Sequence, residues 1–415
     1  NFGSSWVPSD LLDFSLAFES MHLSMRRVAP VVAASTAAAS WWDRRRQASS
    51  GGIPLLPTRH FASCQGGGVD VALVCCGAPK RSMGWYHAKQ LIEQRVPGAE
   101  LTDIVEPFFL GAGKGSPAEK DFTTWATSKA KVPLYPTITD MPKPAGPKLL
   151  IICGRTADNP RLFKQAVDHG FKHIYLEKPG APTVAELEEM SAYSKAKGVA
   201  VCMGFNRNYS QYVSLAKDFM AQAPEGATFT LGRNDAFNTP EALDECFERN
   251  AEGMMKNMMI HELVVLISHF GLRVADIKEV VSDKKYTCQE IRKGVADFSK
   301  VGFTIHTKDG RKFILWGDRC DGEYAEAIVS ADGMQFKSVR PDPKLAERAA
   351  EIEKDEPGCM PFFYLQDGEY LALKKRIVDH IAQGKQGVPE GVATIETAIE
   401  GLKLCDFITK ALISS

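Results

Sequence analysis

Leu149-Leu150-Ile151-Ile152-Cys153, His173-Ile174-Tyr175-Leu176-Glu177-Lys178-Pro179 and Ala200-Val201-Cys202-Met203 are three short apolar runs in one continuous stretch of the chain. Between them lie two segments of helical period, Asn159 to His169, stopped by Gly170, and Val184 to Lys197, stopped by Gly198. A short run without polar alternation reads as a strand buried on both faces. Parallel strands need crossover connections, and helices of this length supply them.

The same alternation continues upstream. Lys148 opens the first of these strands, and Val69 to Cys76 is another apolar, β-branched run. A turn-rich loop follows, Gly77-Ala78-Pro79-Lys80-Arg81-Ser82-Met83-Gly84, then a helical stretch from Trp85 to Gln94. Leu101 to Val105 is a short strand that ends at Glu106. The expected fold class is α/β, with an N-terminal Rossmann domain over 62–205, a doubly wound parallel sheet. After about Gln222 the pattern changes. Ala227–Gly232, Ile277–Val281, Val301–His306, Lys312–Trp316 and Ala325–Ser330 read as strands. Lys308-Asp309-Gly310 and Asp332-Gly333 are the turns that hairpins require. One long helix, about Gly253 to Phe270, interrupts them. A second, α+β domain with a mainly antiparallel sheet is therefore expected over 206–415, closed by a C-terminal helix.

With 415 residues, 44% hydrophobic and 24% charged, the chain has globular composition and room for two domains. Its formal net charge of −1 points to neither a nucleic-acid nor a membrane partner. No apolar run approaches the ~20 residues that span a bilayer. None of the 10 cysteines forms a C-x-x-C pair, so free thiols are expected and no metal site. Between His22 and Val69 the only acid is Asp43, against Arg26, Arg27, Arg44, Arg45, Arg46 and Arg59. An Arg-rich, Ser-rich, acid-poor segment is the composition of a transit peptide. Residues 1–61 are read as a presequence or tail, cleaved after Arg59-His60-Phe61 to leave Ala62 first. The expected address is the mitochondrial matrix, with plastid or cytoplasm as the alternatives.

Three constellations carry chemistry. Gly77 and Gly84 stand as the outer glycines of a phosphate-binding turn, which lets the backbone approach a pyrophosphate at a helix N-terminus. The loop is longer than the usual pattern, and Pro79 stands where a middle glycine is expected. Glu106 ends the second strand where an acid can bond ribose hydroxyls, which favours NAD over NADP. Lys80 and Arg81 could reverse that preference by folding over the ribose. In the second constellation, Lys178 follows a strand at its carboxyl end, where open α/β sheets bind ligands. Pro179 fixes its turn, and burial beside a cationic ring would disfavour its ammonium form. In the third, Asn257 and His261 are four apart on the long helix and so share one face. His is the natural proton acceptor near neutral pH.

Together these stretches, with Gly84-Trp85-Tyr86-His87-Ala88, Met203-Gly204-Phe205-Asn206-Arg207-Asn208-Tyr209 and a closing helix over Pro389–Ala411, resemble the Gfo/Idh/MocA oxidoreductase family. The resemblance runs from about Val69 to the C-terminus. It implies a nicotinamide cofactor, NAD with NADP as the alternative. That cofactor would be held by Gly77, Ala78, Pro79, Lys80, Arg81, Gly84, Glu106, Cys153, Gly154, Glu177, Lys178 and Pro179. It also implies Lys178 and His261 as catalytic groups. Asn257 stands where the family has Asp; it can orient a hydroxyl but supplies no anion. Asn206, Arg207 and Tyr209, with Asn257 and His261, are expected to line the substrate cleft. The implied activity is hydride transfer between NAD(P) and a secondary alcohol of a sugar, polyol or cyclic diol. The alternative is a non-catalytic sensor of the same fold, which the departures at Pro79 and Asn257 would suit. The expected partners are a small-molecule substrate and a second copy, paired through the second-domain sheet.

Overall fold

The computed structural model describes residues 68–250 and 252–414. The proposed presequence, its cleavage site and Ala62 lie outside the described residues. The first layer runs β1 (Val69–Val74), α1 (Met83–Ile92), β2 (Ala99–Val105), α2 (Pro117–Trp125), β3 (Leu134–Tyr135), β4 (Lys148–Ile152), α3 (Asn159–His169), β5 (His173–Leu176), α4 (Val184–Lys197) and β6 (Ala200–Met203). The six strands are parallel in the order β3-β2-β1-β4-β5-β6, so the winding direction reverses between β1 and β4. A crevice opens at the carboxyl ends of strands at such a point.

The apolar runs are continuous because both faces are covered. Ala72, Val74, Leu150, Ile152, Ile174, Leu176, Val201 and Met203 enter one core, shared with Leu162, Phe163 and Leu187 of α3 and α4. Val71, Leu73, Leu149, Ile151, Tyr175 and Cys202 enter the other, with Trp85, Tyr86 and Leu91 of α1. Successive strand residues point to opposite faces, so each strand must be apolar at every position to serve two cores.

The second layer follows α5 (Gln211–Met220). Its elements are β7 (Thr228–Asn234), α6 (Pro240–Arg249), a π-turn (Met255–Met259), α7 (Ile260–Phe270), β8 (Ile277–Ser282), β9 (Cys288–Arg292), β10 (Val295–Thr307), β11 (Lys312–Asp318), β12 (Tyr324–Ala331) and β13 (Met334–Arg340). The sheet order is β13-β12-β7-β11-β10-β8, with β9 on β10. All pairings are antiparallel except β7 with β11. The expected turn between β12 and β13 has Asp332 at φ 45° and Gly333 at φ 76°, the paired positive angles of a type I′ hairpin.

Two elements differ from the sequence expectation. The long helix is continuous over 254–270, but its first part, Met255–Met259, is a π-turn that widens the backbone before α7 begins. The C-terminal part of the chain, α8 (Pro343–Asp355), α9 (Pro361–Leu365), α10 (Asp367–Ala382) and α11 (Ile395–Ser414), does not belong wholly to the second layer. Leu373, Ile377, Val378 and Ile381 of α10 pack in the core that holds Val71, Leu73 and Trp85. Phe363 stacks on Tyr86 with centroids 4.7 Å apart. The chain thus returns to cover the first sheet. Helix α11 packs against both α4 and α7 and ties the two layers together. Gly401 is the close point, where an added Cβ would lie 3.1 Å from Val264 Cγ2.

Candidate active site

The loop from Cys75 to Met83 is tight and largely closed on itself. Gly77 has φ 72°, and a Cβ there would meet Ser82 Oγ at 2.4 Å. Ser82 Oγ accepts the Ala78 amide at 3.0 Å, so Ser82 does not cap α1. The first amides of α1 are left for an anion. Gly84 presses that helix onto the strand end, since an added Cβ would lie 2.2 Å from the Cys75 carbonyl oxygen. Gly154, after β4, is equally constrained: a Cβ would meet Asn159 Oδ1 and Leu162 Cδ1, each at 2.7 Å. Glycines at both mouths of the crevice, an uncapped helix terminus and a carboxylate at the end of β2 fit a dinucleotide.

Glu106 is 2% exposed and accepts the Gly77 amide at 2.8 Å and the Phe108 amide at 3.2 Å. Burial raises its pKa and these amides oppose the rise. It holds the loop, a role that the sequence reading did not include. Lys80 donates to the Pro357 carbonyl at 2.8 Å, and its own carbonyl accepts the Met360 amide. It is thereby tied to the returning chain rather than folded over a ribose site.

At the other end of the crevice, Lys178 Nζ donates to the Asn257 backbone carbonyl at 2.8 Å, joining the first sheet to the π-turn. The Lys178–Pro179 bond is cis. The Lys178 pKa is lowered by burial and then by the Arg233 guanidinium. His261, in the first turn of α7, is 4% exposed, with its ring edge-on to Phe205 at 5.9 Å. Its Nδ1 has no hydrogen-bond partner among the described residues. Burial, then the Lys178 charge, then the arginines 207, 233 and 340 hold its pKa well below the usual value, so the ring is neutral. Asn257 contributes its carbonyl rather than its side chain. The side-chain amide donates to Asn250 Oδ1 at 2.8 Å and to Glu252 Oε1 at 3.5 Å. The wider π-turn removes the shared α-helical face on which the spacing of 257 and 261 relied.

Several expected cleft residues are elsewhere. Arg207 is 1% exposed, 3.3 Å from Glu262 Oε1 through Nε and bonded to Tyr212 Oη at 2.8 Å. Asn206 is fully buried and donates to Gln366 and Glu369. Tyr209 bonds the Gly391 carbonyl at 3.0 Å, beneath Arg376. All three fasten the 3-10 turn after β6 to neighbouring elements. Glu177 is 7% exposed and accepts from His87 and Tyr175, both at 2.9 Å. Burial would raise its pKa, but those partners and Lys178 bring it below the usual range. It braces β5 against α1 rather than facing the crevice.

The sequence reading missed Arg233, Asp235 and Glu323. Arg233 bonds Asp235 Oδ1 through Nη2 at 2.9 Å and Nε at 3.1 Å, and donates through Nη1 to the Met258 carbonyl at 3.1 Å. It therefore anchors the carbonyl next to the one Lys178 holds. Its signal was Leu231-Gly232-Arg233-Asn234-Asp235, where an apolar strand turns charged at its carboxyl end.

Residues 69–205 match the model of the Gfo/Idh/MocA family, described as an oxidoreductase family with an NAD-binding Rossmann fold. The uncharacterized oxidoreductase YrbE of Bacillus subtilis is 26% identical over 128 residues, which are 31% of this chain and 37% of that protein. YhhX of Escherichia coli, also an uncharacterized oxidoreductase, is 26% identical over 124 residues, 30% of this chain and 35% of that protein. The matches thus span about a third of the length of these relatives. Among solved structures, myo-inositol 2-dehydrogenase from Lactobacillus plantarum superposes with a TM-score of 0.64 at 18% identity, over 83% of this chain and 97% of that one. Scyllo-inositol dehydrogenase from Lactobacillus casei, solved with NAD(H) and scyllo-inositol, gives 0.63 at 16% identity, over 84% and 97%. At these identities the likeness shows a shared two-layer fold.

Proposed function

Residues 69–205 match the model of the Gfo/Idh/MocA oxidoreductase family, and from that match we propose that the protein transfers hydride between NAD and a secondary alcohol of a polyol or cyclic polyol. What supports the reading is that Lys178, at the carboxyl end of β5, bonds the Asn257 carbonyl four residues before His261, and its charge acts on that ring. A bound nicotinamide, held by the glycine loop and Glu106, would supply the hydride chemistry. The protein's own task is the hydroxyl proton. Burial disfavours charge on both Lys178 and His261; the Arg233 guanidinium adds to this at the lysine, and the Lys178 charge adds to it at the ring. A neutral Lys178 still donates one hydrogen to the Asn257 carbonyl while its lone pair is available. The unpartnered Nδ1 of His261 can hold the hydroxyl in line. Glu106 favours a free ribose 2′-hydroxyl, because a 2′-phosphate would stand against its carboxylate.

The test is steady-state kinetics on a panel of inositols, hexitols and aldoses with NAD⁺. Lys178→Ala and His261→Ala should each lower kcat by about 10²–10⁴-fold, the usual worth of a positioned proton acceptor, with NADH affinity nearly unchanged. If His261 were only a packed residue, its loss would lower the melting temperature without a specific loss of turnover. A wild type that binds NADH yet oxidises nothing in the panel would overturn the reading.

A further inference from the structure

The inner face of the second sheet ends in charge. In the β7–β12 ladder Arg233 stands opposite Ala325 and Asn234 opposite Tyr324. Asp235 and Glu323 are the next residues beyond the last paired positions of the two strands, and the Asp235 charge acts on Glu323. Alternation puts Arg233 on the side of Phe229 and Leu231, in the core beneath α7. This charged end therefore continues the sheet beyond its apolar part. It reaches the π-turn, where Arg233 holds the Met258 carbonyl and Lys178 holds that of Asn257.

The two carboxylates are not equivalent. Asp235 is ion-paired to Arg233. Glu323 makes no hydrogen bond or ion pair among the described residues, although it is only partly exposed. Burial and then the Asp235 charge raise its pKa, opposed by the arginines 233, 340 and 207. Those cations are already engaged: Arg233 with Asp235, Arg340 with Glu369 at 3.0 Å, and Arg207 with Glu262. An independent unsatisfied group belongs to the same cluster, the buried Nδ1 of His261, which feels both Lys178 and Arg233. Unpaired acceptors beside engaged cations suit a ligand that brings hydroxyl hydrogens and no negative charge.

We propose that Asp235 and Glu323 form the substrate-anchoring pair of this site, accepting hydrogen bonds from neighbouring hydroxyls of a neutral polyol. This rests on the oxidoreductase reading and names its substrate class. A hydroxyl–carboxylate bond is charge-assisted and stronger than a neutral one. An aldonic acid would bring a further anion against the pair, whose neighbours Arg233 and Arg340 are already paired with Asp235 and Glu369.

The experiment compares wild type, Glu323→Gln, Glu323→Asp and Asp235→Asn on the neutral panel and on gluconate. Glu323→Gln should raise KM for the preferred polyol by tenfold or more, with kcat changed much less and NADH affinity unchanged. Glu323→Asp should recover part of the loss, and gluconate should be a poor substrate throughout. Should Asp235→Asn fail to fold once Arg233 loses its partner, the Glu323 variants decide, since Glu323 has no ion pair to lose. An unchanged KM in Glu323→Gln, or gluconate used as well as the polyols, overturns the proposal. If the wild type turns over nothing, the oxidoreductase reading fails separately. The pair is then judged by the thermal shift that the panel polyols produce on the NADH complex. A shift lost in Glu323→Gln supports it, and no shift in the wild type overturns it.

Discussion

Glu106 holds the glycine loop, and under the proposed function it would also face the ribose. Its carboxylate is bonded to two backbone amides and is 2% exposed, so it is fixed before any ribose arrives. Hydrogen bonds to an ionised group contribute about 1.5–3 kcal/mol each. Glu106→Ala should therefore weaken NADH binding by about tenfold or more. It should also narrow the gap between NADH and NADPH, because the anion that would oppose a 2′-phosphate is gone. Fluorescence titration with both nucleotides measures this. Wild-type protein that binds NADPH more tightly would sink the assignment to NAD. Lys178 and His261 belong to the same scale: each is shifted first by burial, then by neighbouring cations, and no single sequence window contains both causes.

The element that presents His261 is held from outside. The Met254 amide, at the entrance to the π-turn, is bonded by both oxygens of Asp297 from β10, at 3.1 and 2.8 Å. Asp297 also pairs at 2.8 Å with Arg319, which is 1% exposed. Removing one partner of a buried pair leaves an uncompensated charge and costs about 3–5 kcal/mol. Asp297→Ala should lose stability in that range by urea titration. Turnover should fall further than the unfolded fraction explains, since the turn carrying the Asn257 and Met258 carbonyls loses its anchor. An Asp297→Ala protein with wild-type stability would show that the turn is held by its own packing.

At the scale of the whole molecule, α10 closes the first sheet through a buried polar contact. Lys374 Nζ lies 2.7 Å from His87 Nδ1, and His87 Nε2 lies 2.9 Å from Glu177. With the lysine donating, the ring carries its hydrogen on Nε2. Burial, then Lys374, lowers the His87 pKa to about 4, and burial lowers that of Lys374 to about 7. The unfolded chain takes up the histidine proton near pH 6.5, and the folded chain only near 4. Stability is therefore lost as pH falls across that window, at about 1.4 kcal/mol per pH unit for one proton. For Lys374 the unfolded chain holds the extra proton between pH 7 and 10.5, so that contribution rises with pH there. His87→Gln should flatten the acid limb between pH 6.5 and 4 by about one proton. Parallel limbs in variant and wild type would remove His87 from the account. The proposal that the Arg-rich, acid-poor stretch before Val69 is a cleaved presequence sets the other whole-molecule expectation. Protein recovered from its native cells should begin at or near Ala62, and a mature chain starting at Met21 or Met25 would refute cleavage there.

The local pattern alone determined the strands from Val69 to Met203 except the two-residue β3 at Leu134–Tyr135, which has no run long enough to read. A residue buried on both faces of a parallel sheet has no polar option, so the runs are legible without any partner. Helix stops at Gly170 and Gly198, the hairpin turn at Asp332-Gly333 and the position of Lys178 after β5 are local in the same sense. What the tertiary structure decided involves pairs far apart in the chain. The π-turn broke the α-helical face on which Asn257 was expected to join His261. Arg207 and Asn206 proved to be buried fasteners, because only the fold brings Glu262 and Glu369 to them. Helix α10 came back to the first sheet across nearly three hundred residues of sequence to reach His87. Asp235 and Glu323 come near each other because β7 and β12 pair and their ladder ends at Asn234 and Tyr324. Register depends on which strands pair, and pairing is settled by burial of the whole sheet rather than by the residues of either strand.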